Sequence, residues 1–298
     1  MAKLLLGKEV NASINEEIKA KVETLKAQNI TPTLGIIRIG EREDDIAYER
    51  GATKRCETLG VAYEKFLLPA DAEEEEVLKT IDQVNKSEKI HGVLLFRPLP
   101  KHLNEEKIVN ALAVEKDVDG ITDLSMAGVF MGKDMGYAPC TPSACMKVLD
   151  HYGIDCTGKK VVVIGRSLVI GKPVAMMLMK KNATVTVCHT KTVDMPGVCK
   201  GAEVLVAAAG VAKMVDKSFV ADGAVVIDVG INVDEDGNLC GDVDFEDVAG
   251  NASVCTPVPG GVGSVTTSVL AKHLLKAAKA RSCLLYTSPS PRDVEESR

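Results

Sequence analysis

Gly165, Ser167 and Gly171 stand between an apolar run, Val161-Val162-Val163-Ile164, and a segment that carries Pro173 near its start. A strand, a glycine turn and a helix start, in that order, bring backbone N–H groups to the positive end of a helix, where a pyrophosphate binds. The spacing is not Gly-x-Gly-x-x-Gly, and a tight structural turn would use the same residues. Further apolar strands at Thr184–Val187, Val204–Ala207 and Val225–Asp228 favour the dinucleotide reading. The strand after the turn runs into Cys188-His189-Thr190-Lys191. An acidic residue there would hold the ribose 2′-hydroxyl of NAD, and none is present. Thr190, Lys191 and Arg166 suit a 2′-phosphate instead, because charge-assisted hydrogen bonds to phosphate are strong. The cofactor expected is therefore NADP, with NAD left open. His189 reads as packing or cofactor wall rather than as a catalytic base.

Two other segments carry polar groups on turn-forming sequence. Lys116-Asp117-Val118-Asp119-Gly120 contains an ordinary Asp-Gly turn signal. A carboxylate in a cleft there would grip the amino-pyrimidine edge of a substrate with paired hydrogen bonds. Thr256-Pro257-Val258-Pro259-Gly260-Gly261-Val262-Gly263 holds three glycines and two prolines in eight residues. It is either an elaborate loop or a backbone shaped around a ligand. Ser264 follows it as a helix cap. Asp228-Val229-Gly230-Ile231-Asn232 ends another strand on the edge where cofactors sit.

The elements that position these residues alternate. Helical spacing covers Val10–Gln28 and Ile46–Leu59, the latter stopped by Gly60. Strands are read at Leu34–Ile39, Val61–Leu68 and Gly92–Phe96. Asp71 is placed to cap a helix that starts in the acidic run Glu73–Glu76. The fold class is α/β, with a parallel sheet in each of two lobes. Residues 1–120 form an N-terminal α/β lobe and 121–264 a Rossmann-like lobe, while 120–157 carries the crossing between them. Residues 265–281 form a C-terminal helix. Ser282-Cys283-Leu284-Leu285-Tyr286-Thr287-Ser288-Pro289-Ser290-Pro291-Arg292-Asp293 breaks the helical pattern. Residues 282–298 resemble translated adapter sequence and read as a non-native or disordered tail.

Composition limits the function classes. The chain has 298 residues, 46% hydrophobic and 26% charged, with a net charge of −6. That profile fits a globular protein of about two domains, and its acidity argues against nucleic acid. Aromatics are 3% and Trp is absent, so base-stacking platforms and membrane belts are poorly supplied. No apolar run reaches the roughly 20 residues that span a bilayer, and the expected location is the cytoplasm. Nine cysteines with no Cys-x-x-Cys spacing argue against a zinc site or a disulfide framework and for free thiols.

Taken in order, Lys116–Gly120, Pro139-Cys140-Thr141-Pro142, Gly165-Arg166-Ser167 with Gly171-Lys172-Pro173, Asp228–Asn232, Gly241-Asp242-Val243 and Thr256–Gly263 resemble the FolD-type methylenetetrahydrofolate dehydrogenase/cyclohydrolase family. The likeness covers about residues 3–280. It implies an enzyme of one-carbon folate metabolism, serving purine biosynthesis. It implies a homodimer with tetrahydrofolate between the lobes, NADP on the second lobe and the last helix packed back on the first. It assigns the cofactor to Gly165, Arg166, Ser167, Thr190 and Ile231, and folate to Tyr48, Asp119, Pro259 and Gly260, with Tyr48 and Asp119 also catalytic. Thr190 stands where the family has Ser, and Gly263-Ser264-Val265-Thr266 departs from Gly-Pro-Met-Thr.

One departure bears on activity. The family's Tyr is followed four residues later by a catalytic Lys, and here that position is Ala52. Lys54 aligns with a second basic residue of the pattern and points about 200° around the helix from position 52. Arg55 returns to the face of Tyr48, but a guanidinium does not give up a proton. The Gln that precedes the family's Leu-Pro-Leu-Pro turn is Phe96. The expectation is a dehydrogenase that has lost cyclohydrolase activity. The bifunctional enzyme is the alternative, and a catalytically silent nucleotide-binding subunit is the alternative of another class.

Overall fold

A computed structural model describes the backbone of residues 2–287 and the side chains of residues 2–281. In chain order the first elements are β1 (Lys3–Leu4), α1 (Gly7–Ala27), β2 (Thr33–Ile39), α2 (Glu43–Leu59), β3 (Ala62–Leu68), α3 (Glu74–Lys86), β4 (Gly92–Leu95) and α4 (Glu105–Asn110). Next come α5 (Asp123–Met131), α6 (Cys140–His151), β5 (Lys160–Ile164), α7 (Gly171–Lys180), β6 (Thr184–Cys188), α8 (Met195–Cys199), β7 (Val204–Ala207) and β8 (Val225–Asp228). The chain closes with β9 (Asn232–Val233), β10 (Leu239–Cys240), α9 (Phe245–Val248), β11 (Val254–Cys255) and α10 (Thr266–Thr287). These elements form two compact units, the chain up to Ile14 with Asp123–Val269, and Asn15–Thr122 with the described residues from Leu270 onward.

The larger unit is built on a parallel six-stranded sheet in the order β1-β11-β8-β7-β5-β6. Its central strands are Val, Ile, Leu and Ala runs because helices cover both faces of such a sheet. Val163, Leu205, Val206, Val226 and Ile227 have no exposed surface. Cys188, Cys199 and Cys255 pack with Leu205 and Val226 in one core cluster, and the eight described cysteines form no disulfide. Lys3–Leu4 pairs with Val254–Cys255. The first fourteen residues therefore belong to this unit, and not with the rest of the expected 1–120 lobe.

The smaller unit has a parallel sheet in the order β3-β2-β4. Ile37, Ile39, Val93 and Leu95 pack against Val77, Ile81 and Val84 of α3. Gly60 ends α2 in the left-handed region at φ 71°, its N–H donating to Cys56 and Glu57 carbonyls. From Leu270 onward α10 belongs to this unit. A Cβ on Gly92 would run into Val118 and Leu274, and Lys272 Nζ donates to Glu17 at 2.7 Å.

Three local expectations are corrected. The N-cap of α3 is Glu73, not Asp71, and no side chain caps it; three glutamates in the first turn serve the helix dipole instead. Ser264 does not cap α10, because its hydroxyl donates to Gly261 O at 2.8 Å within a short 3₁₀ turn. Finally, α10 continues to Thr287, past the expected end at 281, through a stretch without proline. The remainder of the expected tail, 288–298, lies outside the described residues. Among the described residues no helix is long and apolar enough to cross a membrane.

Candidate active site

Gly165 follows β5, which pairs β6 on one side and β7 on the other. It thus occupies the point where the strand order reverses, the crevice where parallel sheets bind ligands. The Gly165 N–H donates to Cys188 O at 2.9 Å and the Ala208 N–H to Ile164 O at 2.8 Å. With φ at 117°, and with Ala208 O where a Cβ would fall, only glycine fits. Gly171 likewise has the carbonyl of Gly165 in place of a Cβ. The Ser167 hydroxyl accepts the Ile170 N–H at 3.1 Å and shapes the turn. Ile170 at the N-cap of α7 supplies no side-chain acceptor. Arg166 and Ser167 are exposed.

Thr190 follows β6, exposed beside Lys191. The His189 N–H donates to Thr192 Oγ1 at 2.9 Å, and the Lys191 N–H donates to His189 Nδ1 at 3.1 Å. His189 is therefore a turn residue. Ile231 follows β8 and is 65% exposed. These strands are parallel, so all five residues expected at the cofactor lie at one edge of one sheet. The close-packed glycines, the uncapped helix start, two exposed cations and a strand end without a carboxylate fit a dinucleotide that bears a 2′-phosphate.

Behind this edge lie two carboxylates to which the sequence reading gave no role. Asp228 Oδ1 accepts the N–H groups of Gly230 at 2.9 Å and Asp242 at 3.1 Å, and its Oδ2 accepts Val243 N–H at 3.0 Å. Burial, opposed by these N–H groups and reinforced by the charge of Asp242, raises the Asp228 carboxyl from 3.8 to about 6. The available signal was the flanking glycines. A Cβ on Gly230 would strike Asp242, and a Cβ on Gly241 would strike Asp228.

Tyr48 lies on α2, partly exposed, with its ring 5.7 Å from that of Phe96 at an interplanar angle of 81°. Phe96 is buried where the chain leaves β4, and its N–H donates to Ile37 O at 3.0 Å. Ala52, one turn on, is 1% exposed. Lys54 is exposed and Arg55 half-buried. Beneath Tyr48, the buried Glu49 accepts Arg38 Nε at 2.8 Å and Lys65 Nζ at 2.7 Å. Burial works to raise the Glu49 carboxyl, and the hydrogen bonds from Lys65 and Arg38 overcome it, holding the group below its ordinary value. This network pins α2 to β2 and β3. Its mark in the sequence is Arg38 inside the apolar strand Leu34–Ile39.

Asp119 sits half-buried in a turn braced from several directions. Lys116 Nζ donates to Ser87 O at 2.7 Å and also to Val84 O, closing the end of α3. Asp117 accepts the N–H groups of Ile121 at 2.9 Å and Thr122 at 2.8 Å. Val118 is buried, and its carbonyl accepts His273 Nδ1–H at 2.9 Å. Tyr48 and Asp119 thus share the smaller unit.

Pro259 and Gly260 belong to the larger one and are exposed. Gly260 has φ 99° and accepts the Gly7 N–H at 2.8 Å. Thr256 Oγ1 accepts the Asp228 N–H at 2.7 Å, tying this loop to β8.

Two family models match the chain. Residues 5–119 match the catalytic domain of tetrahydrofolate dehydrogenase/cyclohydrolase, and residues 139–282 match its NAD(P)-binding domain. A curated relative from Clostridioides difficile, Bifunctional protein FolD, is 53% identical over 279 residues, covering 94% of this chain and 97% of the relative. The solved bifunctional methylenetetrahydrofolate dehydrogenase/cyclohydrolase of Campylobacter jejuni has a TM-score of 0.92 at 38% identity, covering 94% of this chain and 100% of its own. The Trypanosoma brucei dehydrogenase-cyclohydrolase, solved with NADP and an inhibitor, has a TM-score of 0.89 at 32% identity, covering 94% and 98%.

Proposed function

The chain belongs to the tetrahydrofolate dehydrogenase/cyclohydrolase family, and from that premise we propose that it oxidises 5,10-methylenetetrahydrofolate to 5,10-methenyltetrahydrofolate with NADP and does not hydrolyse the product. The observation that carries this reading is the edge-to-face contact of Tyr48 with Phe96 beside a buried Ala52.

Bound NADP would supply the hydride acceptor, held by the turn Gly165–Ser167, by Thr190 and by Ile231, with Arg166 on its 2′-phosphate. The remaining work falls to side chains that hold folate. Asp119 accepts hydrogen bonds from the amino-pyrimidine edge, and Tyr48 packs against the ring system. When the methylene carbon gives up its hydride, a lone pair of the neighbouring folate nitrogen satisfies the developing cation. Oxidation therefore needs positioning above all, and a preset geometry supplies much of the rate. The braced turn under Asp119 and the anchored α2 under Tyr48 are suited to that.

Hydrolysis of the methenyl bridge differs. Water must lose a proton as it adds, and a positioned acid or base contributes typically 10²- to 10⁴-fold. Ala52 has no titratable group, and Phe96 presents carbon where an amide would hold a neighbouring amine. The bifunctional reading is favoured by the names of the relatives. Against it stand these two positions. A silent nucleotide-binding subunit is disfavoured by the braced Asp119. Purified protein with methylenetetrahydrofolate and each nicotinamide cofactor, followed separately for reduced cofactor and methenyl product, distinguishes the three.

A further inference from the structure

The loop after β7 closes around a single carboxylate. Asp242 has no exposed surface. Its Oδ2 accepts the N–H groups of Ala209 at 2.5 Å and Gly210 at 3.0 Å, and its Oδ1 accepts Val211 N–H at 2.9 Å and the Asn232 side-chain amide at 2.9 Å. Three successive backbone N–H groups that converge on one point form a nest, a concavity that elsewhere receives a phosphate. Here the chain fills the nest with its own carboxylate.

The residues tied in this way border the dinucleotide edge. Ala208, just before the nest, is the residue whose carbonyl excludes a Cβ on Gly165. Asn232 directly follows Ile231. The peptide that carries Asp242 is fixed in turn, since its N–H donates to Asp228 at 3.1 Å and its carbonyl accepts Val215 N–H at 2.9 Å. Burying one carboxylate beside another is costly unless donors satisfy both, and these loops supply the donors.

The geometry points to Asp242 as a positioning residue for dinucleotide binding. By occupying the nest it locks Ala208–Val211 and Asn232 as fixed walls beside Gly165 and Ile231, and it leaves the Gly165–Gly171 turn as the place for phosphate. The inference rests on the dinucleotide reading and adds a residue to it. Asp242 acts through the loops and not by touching the reacting atoms.

Calorimetric titration of Asp242→Asn with NADP, beside folate KM, tests it. An amide keeps one acceptor oxygen and turns N–H groups toward N–H groups. The expected result is NADP affinity weakened by about ten-fold or more, with folate KM within about two-fold. Asn232→Ala, which removes one donor and leaves the nest filled, should weaken NADP less than Asp242→Asn but more than it changes folate KM. In the protein without dinucleotide, the amides of Ala209, Gly210 and Val211 should exchange slowly with deuterium, as protected amides do. Fast exchange of these three amides overturns the proposal even if Asp242→Asn fails to fold. So does unchanged NADP affinity in both variants, or a rise in folate KM equal to the loss of NADP affinity. A wild type that binds neither NADP nor NAD overturns the dinucleotide reading itself, and this inference with it.

Discussion

The Tyr48 and Phe96 rings meet edge to face, 5.7 Å apart between centroids, at the position where the family pattern places an amide. An aromatic pair of this kind adds about 0.5–1.5 kcal/mol beyond its buried area, and it offers carbon where the family pattern has an amide. Restoring both family residues should therefore restore hydrolysis only together. The double variant Ala52→Lys/Phe96→Gln is expected to accelerate methenyl decay by about 10²-fold over wild type. Each single variant should stay near the wild-type rate, because a lone buried amine or amide lacks its partner. Stopped-flow absorbance of the methenyl chromophore measures this.

Cofactor choice is expected to depend on Arg166. It is exposed at the sheet edge beside Gly165, and a charge-assisted pair contributes roughly 1.5–3 kcal/mol. Arg166→Ala should raise the Kd for NADP ten-fold or more and leave that for NAD nearly unchanged. Equal loss for both would make Arg166 a structural residue.

Much of this was legible in residue order. Val161–Ile164 and Val204–Ala207 became central strands because an apolar run between turn signals fits a sheet buried on both faces. Gly165 was readable from its place between an apolar strand and a helix start, where a glycine turn is expected. Long-range pairing was not readable. The sequence of Lys3–Leu4 holds nothing that says it will lie beside Val254–Cys255. The roles of Asp242 and Glu49 come from partners 31 residues away, at Val211, and 16 residues away, at Lys65, and such polar contacts leave no periodic mark.

Glu49 is expected to be a large single contributor to the stability of the smaller unit. Arg38 and Glu49 are each about nine-tenths buried, and their ion pair is 2.8 Å long. Glu49→Gln strands a buried guanidinium and should cost about 3–5 kcal/mol. The double replacement Arg38→Met/Glu49→Leu should cost less than Glu49→Gln alone, since no buried guanidinium is left unpaired and Lys65, 37% exposed, can turn to water. Urea unfolding of the three proteins checks the order.

Asp228 predicts a pH dependence with a definite sign. Its carboxyl is raised from 3.8 to about 6, first by burial. The folded state therefore holds this proton more tightly than the unfolded chain does. The stability it contributes is complete below about pH 3.8 and is lost as pH rises through about 6. Asp228→Asn does not titrate, so the stability of wild type relative to Asp228→Asn should fall between pH 4 and pH 7, by on the order of 2–3 kcal/mol. Denaturant unfolding at several pH values gives the slope, and a flat difference would place the Asp228 pKa at its ordinary value.

The central claim is oxidation without hydrolysis, and the separate fates of hydride and methenyl product test it most directly. Purified protein with methylenetetrahydrofolate and NADP should produce methenyl product and reduced cofactor in equal amounts, and the methenyl absorbance should then decay no faster than in buffer. Decay that depends on enzyme, saturates with methenyl substrate and disappears in Tyr48→Phe would contradict the account.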